Sequence, residues 1–388
     1  KYPTRPNYSF NTQKMKKNLI YYLLISCGIL IFIIAVDFGL GNFFNKQSVN
    51  FFRIKHNYYH HGLLPSQASL GIWAGYKYPV YTNNFGFRDT TKTDIQIVES
   101  KRQILFIGDS HTEGVGILYE NCFPSLIQKE RDDIQIFNAS AVSYRPKLYS
   151  LKVKHILEEE IIHPNEIIVM IDISDIQNEI IYENFRPKWD RMERLEQVIY
   201  EFLHRNSFIY FRTKKLISGI KQKKFARESE LFEEYIEVSN FDETFSLYAD
   251  FFDSFDDKLL VSDPAFHNVG SWIYDEKYRK LLYRGLKSGA DNIRKLKGLC
   301  DKHSIKLKLS VHPWKEQIVK ADPSDEYVQF WEEFCKKNDI DFLNLYPAFI
   351  NPKISIIASG GFFIPNDNHW NETGHRIVAM ELGSWKIE

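Results

Sequence analysis

Five short apolar runs, each followed by a stretch with helical spacing, limit what this chain can fold into. They are QILFIGDS (103–110), IQIFNAS (134–140), EIIVMIDIS (166–174), IKLKLSVHP (305–313) and DFLNLYP (341–347). Between them KLYSLKVKHILEEEII, YRKLLYRGLKSGADNIRKLKGLCDKH and EYVQFWEEFCKKN carry apolar residues at helical periodicity. Strands that are apolar throughout and alternate with helices of ten or more residues pair in parallel, with helices on both faces. The expectation is therefore an α/β, doubly wound parallel sheet of about five strands. Residues 185–275 interrupt the alternation with amphipathic helical sequence, a basic cluster (Lys214, Lys215, Lys221, Lys223, Lys224, Arg227) and an acidic, Phe-rich stretch. That cluster reads as a solvated helix face or as a surface that meets anionic headgroups or a partner subunit. No low-complexity linker sets the stretch apart, so it reads as an insertion within one domain.

A second constraint lies upstream. Residues 18–36, NLIYYLLISCGILIFIIAV, contain no charged residue, and the apolar character continues past Asp37 through FGLGNFF. About 20 apolar residues cross a bilayer core, so one transmembrane helix is expected. A cleaved signal peptide has a shorter apolar region and a small-residue cleavage site, and a buried core helix has a polar face. Lys1, Arg5, Lys14, Lys16 and Lys17 precede the run with no acidic residue among them. The positive-inside rule then puts residues 1–17 in the cytoplasm, an anchor at 18–44, a lead-in segment at 45–100 and the main domain, 101–388, outside the cytoplasmic membrane. The lead-in contains YTNNFGFRD (81–89), read as a short strand with a turn at Gly86.

Composition excludes several classes of function. The 388 residues carry 50 Lys+Arg and 50 Asp+Glu, so no global basic field exists to collect nucleic acid. Cys27, Cys122, Cys300 and Cys335 form no CxxC pair and imply neither a zinc site nor a disulfide framework. No cofactor and no metal are called for. His56, His60 and His61 have no carboxylate close in sequence and read as a superficial likeness to a metal cluster.

The motif LFIGDSHTEGVG (105–116) ends the first strand of the domain. In a doubly wound sheet the ligand site lies at the carboxyl ends of the strands, and Ser110 falls there, either as a nucleophile or as a helix cap. Near the other end, IPNDNHWNETGHRIVAMEL (364–382) places Asp367 and His369 two apart in a loop before a helix capped by Asn371. A serine needs a base, and the base needs a carboxylate that fixes its tautomer; Asp-x-His supplies both. His375, inside that helix, is a competing base that reads better as packing or capping.

GDSHTEG early and DNHW late, on an alternating α/β chain, resemble the SGNH/GDSL hydrolase superfamily over roughly residues 103–385. TNNFGFRD, FNASAVSYRP, DISDIQNE and HPWKEQ resemble segments of a membrane-anchored bacterial branch. The resemblance implies a flavodoxin-like sheet and a triad of Ser110, His369 and Asp367. It also implies oxyanion donors from Ser110, from Ser143 where the superfamily has a glycine, and from the third block. There Ser174 and Asp175 occupy the place of a Gly-x-Asn-Asp turn, leaving Asn178 or the Ser174 hydroxyl as substitute donor and Asp175 as a charge that would repel an oxyanion. Some anchored relatives work beside an integral-membrane O-acyltransferase that decorates envelope glycans.

His111, Trp314 and Trp370 are candidate substrate contacts, the tryptophans as platforms for a sugar face; buried aromatics also serve as core. Asn138 and Asn371 match a glycosylation pattern but stand at a strand end and in the catalytic loop, and are discounted. Three functions follow: an extracytoplasmic serine esterase or O-acyltransferase on envelope glycan, an inactive membrane-anchored scaffold or accessory subunit of an envelope complex, and a carbohydrate-binding module.

Overall fold

The computed structural model describes residues 9–228, 272–320, 322, 325–350 and 361–385. The acidic, Phe-rich stretch after Glu228 lies outside the described residues, as do the side chains of Lys221, Lys223, Lys224 and Arg227. The chain begins with a 36-residue helix, α1 (Ser9–Phe44). A hairpin of β1 (Arg53–His56) and β2 (His60–Leu63) follows. A second hairpin joins β3 (Ala68–Trp73) to β4 (Tyr76–Thr82) through Ala74 and Gly75, both at positive φ, as a two-residue turn of type I′ requires. β5 (Arg88–Asp89) completes the lead-in.

The regular alternation then begins. β6 (Arg102–Ile107), the one-turn α2 (Ser110–Glu113), α3 (Phe123–Glu130), β7 (Ile134–Asn138), α4 (Pro146–Glu158), β8 (Glu166–Ile171) and α5 (Ile173–Ile181) run in order. Helices α6 (Arg191–Asn206) and α7 (Phe208–Glu228) form the described part of the insertion. After it come α8 (Arg279–Lys302), β9 (Lys306–Val311), α9 (Lys315–Lys320), α10 (Glu326–Lys337), β10 (Asp341–Asn344), α11 (Tyr346–Ile350) and α12 (Glu372–Ser384).

One sheet holds eight strands in the order β10-β9-β8-β6-β7-β5-β4-β3. Its five parallel strands have the flavodoxin-like order 2-1-3-4-5. The expected α/β sheet is thus present, with a correction at one edge. The lead-in adds three antiparallel strands, β5 joining β7 through the Arg88–Asn138 pair, so the sheet crosses the boundary expected at residue 100.

Side chains alternate between the two faces of each strand. Leu105, Ile107, Ile167, Val169, Ile171, Leu309 and Val311 enter one core with residues of α4, α5, α8 and α10. Ile104, Phe106, Ile168 and Met170 enter the other with residues of α3, α11 and α12. Both faces are covered, which is why these strands lack polar alternation. An exception is the buried pair Lys308 Nζ–Glu166 Oε1 (3.1 Å) between β9 and β8.

Helix α1 is the one helix, among the described residues, long and apolar enough to cross a membrane. Its last turns are bound to the rest of the chain. The Asp37 carboxylate accepts the Ser207 hydroxyl at 2.6 Å and the Ile209 N–H at 2.7 Å, and a Cβ on Gly41 would lie 1.9 Å from the Asn206 carbonyl oxygen. The buried Asn45 amide just beyond α1 donates to the Ser207 carbonyl at 3.0 Å.

Candidate active site

Strand β6 delivers Ser110 through a turn that only glycine permits at position 108. A Cβ there would lie 2.2 Å from Thr112 Oγ1 and 3.0 Å from the Met170 carbonyl oxygen. Asp109 caps α2, its Oδ1 accepting the His111 N–H at 2.9 Å. Ser110 therefore stands at the carboxyl end of β6, beside the carboxyl end of β8, at the switch point where a doubly wound sheet opens a crevice.

His369 reaches Ser110 from the loop before α12. Ser110 Oγ lies 2.7 Å from His369 Nε2, and His369 Nδ1 lies 2.5 Å from Asp367 Oδ1, which also accepts the His369 backbone N–H at 2.7 Å. The loop is fixed on both sides: the Ile364 N–H donates to the His369 carbonyl, and Asn371 caps α12 by accepting from Thr373 and Gly374. Burial acts to raise the Asp367 carboxyl, but the charge and hydrogen bonds of His369, with a contribution from Trp73, hold it well below the usual carboxylate range. His375 accepts the Phe123 N–H at the start of α3 (3.3 Å), and burial pushes its pKa down to about 3. It caps and packs, as read from the sequence.

The second block supplies Ser143, whose φ of +60° is the left-handed conformation that glycine ordinarily occupies. Its loop is held to the Ser110 turn by a buried carboxylate. Glu113 Oε2 accepts the Val142 N–H at 2.8 Å, while both Glu113 oxygens take the Arg53 guanidinium at 2.7 and 2.9 Å. Asn138 is also buried and donates to the Thr112 carbonyl at 2.7 Å.

The third block differs from what its sequence suggests. Asp172 caps α5, and Asp175 turns back to accept the Asp172 N–H at 2.9 Å, closing a capping box. Burial and the neighbouring Asp172 and Asp109 raise the Asp175 carboxyl well above its usual range, which disfavours the repelling charge expected there. Ser174 reaches the Ser110 turn, donating to Asp172 Oδ1 at 2.6 Å with Asp109 Oδ2 at 3.3 Å. Asn178 lies one turn further along α5.

The candidate substrate contacts also land differently. Trp370 is 0% exposed and stacks on Phe349 in the second core, so its indole offers no face to a sugar. Trp314 is 6% exposed and spends its N–H on Asp172 Oδ2 (2.5 Å). His111 is buried and stacks on His369, ring centroids 4.6 Å apart, with Nε2 3.0 Å from the Asn368 carbonyl oxygen. Since a carbonyl only accepts, that nitrogen carries a proton, and Nδ1 faces Asp172 at 3.3 Å and Asp109 at 3.7 Å. Burial opposes a charge on His111, but the two carboxylates outweigh it and push its pKa up to about 10.

Asp109, His111, Asp172 and His312 bring potential metal-ligand atoms within 4.8 Å of one another. Protein donors already occupy the carboxylates: the His111 N–H on Asp109, and the Trp314 N–H, Ser174 hydroxyl and Ser174 N–H on Asp172. His111 Nδ1 stands at ion-pair distance from both carboxylates without a hydrogen bond to either, so the cluster reads as a buried ion pair. His56, His60 and His61 pack among aromatic rings: His56 stacks on Tyr59, and His60 meets Tyr182 edge-on.

Sequence reasoning missed three contributors. Trp73, at the tip of the β3–β4 hairpin, sets its indole nitrogen 3.2 Å from His369 Nδ1 and its ring edge-on to the imidazole. Nothing in the lead-in sequence signals that contact. Glu113 sits inside the GDSHTEG motif and Asp172 at the end of a strand run, positions that were legible though their partners were not.

No family model matches the chain, and no curated protein matches it. Solved structures that it resembles include the acetyl xylan esterase AlAXEase (12% identity, 74% of this chain and 100% of that chain, TM-score 0.40). Others are the psychrotrophic esterase EstA from Pseudoalteromonas sp. (10% identity, 73% and 94%, TM-score 0.36) and a member of the lipolytic protein G-D-S-L family from Veillonella parvula DSM 2008 (10% identity, 74% and 100%, TM-score 0.38). These neighbours are esterases and lipolytic G-D-S-L proteins. With identities of 10–12% and TM-scores of 0.36–0.40, the functional reading rests on the atoms of the site itself.

Proposed function

We propose that the chain is a membrane-anchored serine esterase or O-acyltransferase whose site faces the extracytoplasmic side and acts on envelope glycan. The observation that carries this reading is the continuous line Ser110 Oγ, His369, Asp367, with separations of 2.7 and 2.5 Å. His369 Nε2 takes the Ser110 proton as Oγ attacks an ester carbonyl, while Asp367 holds the Nδ1–H tautomer and offsets the imidazolium charge. The N–H groups of Ser110 and Ser143 are the proposed donors to the oxyanion. The tetrahedral intermediate collapses to an acyl-serine, and His369 returns the proton to the leaving alcohol. Water or a glycan hydroxyl, deprotonated by the same imidazole, then takes the acyl group. Hydrolysis and transfer share the first half-reaction.

Retention of α1 as an anchor is supported by the bonds from Asp37 to Ser207 and Ile209, which a cleaved leader would forfeit. The cationic flank before residue 18 supports a cytoplasmic tail at 1–17, with the segments after 44 outside. An integral-membrane acyltransferase as donor of the acyl group belongs to the same proposal. The scaffold alternative draws on the third block, where Ser174 stands in place of the asparagine donor. Turnover of 4-nitrophenyl acetate by the detergent-solubilised full chain separates the two. Ser110→Ala and His369→Ala are expected to abolish it, and activity retained in either variant overturns the triad.

A further inference from the structure

Two exposed apolar stripes flank the point where α1 ends. On α6, Met192, Leu195, Val198, Ile199 and Phe202 are exposed, and at about 100° per residue they fall within an arc of about 120°. On α7, Ile209, Leu216, Ile217 and Ile220 are exposed within a similar arc. The remaining face of α6 packs on the domain: the Gln197 amide donates to the Lys55 carbonyl at 3.0 Å, and His204 Nε2 lies 3.2 Å from the Phe51 carbonyl oxygen. The stripes are therefore a surface that the described residues leave uncovered.

What covers them follows from where they sit. The α6–α7 corner is fixed to α1 by Asp37, the first charged residue after the uncharged run, and by the close approach of Gly41 to Asn206. Phe38 and Phe44 of α1 meet Phe202 and Phe208 edge-on, at 5.5 and 6.0 Å between ring centroids. The stripes thus continue the lipid-facing surface of α1 at the level where that helix leaves the hydrocarbon. Arg212 and Lys214 flank the stripe of α7 on either side, the arrangement of a helix lying in the boundary between acyl chains and anionic headgroups.

We infer that α6 and α7 form a second membrane contact, an in-plane hairpin that inserts its apolar stripes into the outer boundary of the bilayer. A single spanning helix leaves a domain free to tilt; two contacts fix its orientation and the height of Ser110 above the lipid. The inference rests on the reading of α1 as a membrane span and is independent of the triad.

Spin labels test it on the full chain in nanodiscs of three parts phosphatidylcholine to one part phosphatidylglycerol. The native Cys27, exposed on α1, carries the label that reports the span, and Cys122, Cys300 and Cys335 are buried. Val198→Cys, Leu216→Cys and the control Glu333→Cys on α10 are made with Cys27→Ser. Labels at 198 and 216 are expected to collide more with oxygen than with a water-soluble nickel chelate, at a shallower depth than position 27, while 333 favours the chelate. Chelate-accessible labels at 198 and 216 with a lipid-buried label at 27 overturn the hairpin alone. An accessible label at 27 overturns the anchor, and the hairpin with it. Labels open to chelate in pure lipid but shielded in native membranes assign the stripes to a protein partner and also overturn the inference.

Discussion

The bond between Glu113 and the Val142 N–H predicts a catalytic defect in a residue that touches no substrate. The Glu113 carboxylate is buried and accepts three donors, two from Arg53 and one from the residue before Ser143. In Glu113→Gln an amide oxygen in the place of Oε2 keeps Arg53 Nη1 and the Val142 N–H but sets its NH2 against Arg53 Nη2, and in the flipped amide the NH2 faces both Arg53 Nη1 and the Val142 N–H. A hydrogen bond to a charged group contributes about 1.5–3 kcal/mol, so a loss of that order is expected in stability. If the 142–143 loop shifts, the Ser143 N–H leaves the oxyanion position, which lowers kcat by about 10²–10³. Arg53→Met instead leaves a buried carboxylate without its cation, at about 3–5 kcal/mol. The assay is ester turnover by folded Glu113→Gln at saturating substrate, alongside thermal unfolding in the same detergent. A kcat within about twofold of wild type in a destabilised but folded variant would falsify the coupling of this ion pair to the oxyanion donor.

Four further outcomes follow from the same geometry. Asp367→Asn, which favours the wrong His369 tautomer, should lower kcat by about 10⁴ with the fold unchanged by circular dichroism; a loss below tenfold contradicts the role of Asp367. The folded-state pKa of His111, about 10, lies above its ordinary 6.5, so its stabilising charge is fully present below about pH 6.5 and is lost as pH rises through 10. Between pH 7 and 10.5 the Tm of wild type should therefore fall more steeply than that of His111→Gln, and parallel curves refute the buried imidazolium. Lys308→Met leaves Glu166 with Arg102 as its remaining partner at 3.6 Å and should cost up to about 3–5 kcal/mol, whereas adding Glu166→Met should recover most of it in denaturant titration. Ser143→Gly relieves a left-handed serine and should raise stability by about 1 kcal/mol while keeping turnover; a destabilised variant contradicts the assigned backbone.

The parallel strands were legible because burial on both faces leaves them almost wholly apolar, as β8 shows. Of the lead-in, only the segment around the Gly86 turn was. ASLGIWAGYKYPVYT lacks clean alternation, and Pro79 argues against a strand; it is accommodated because β5 pairs only with Tyr81 and Thr82 of β4. Ser110, Asp367 and His369 were legible as chemistry placed at the strand ends, and they lie within hydrogen-bonding reach. Trp370 stayed open between sugar platform and core because a tryptophan beside a catalytic loop looks the same in sequence whether it faces solvent or Phe349. The environment of Asp175 was hidden for a similar reason, since its carboxyl is raised by burial beside Asp172 and Asp109, which no local spacing reveals. Trp73 stands 296 residues from His369 and is joined to it only through the antiparallel edge of the sheet.

The central claim is that Ser110 is an activated nucleophile. Intact-mass spectrometry of the detergent-solubilised full chain after exposure to a small serine-reactive phosphonate tests it most directly, with Ser110→Ala as control. The account predicts one phosphonyl adduct per chain, absent from the control. Folded wild-type protein that takes up no adduct, or a Ser110→Ala variant that is labelled equally, contradicts it.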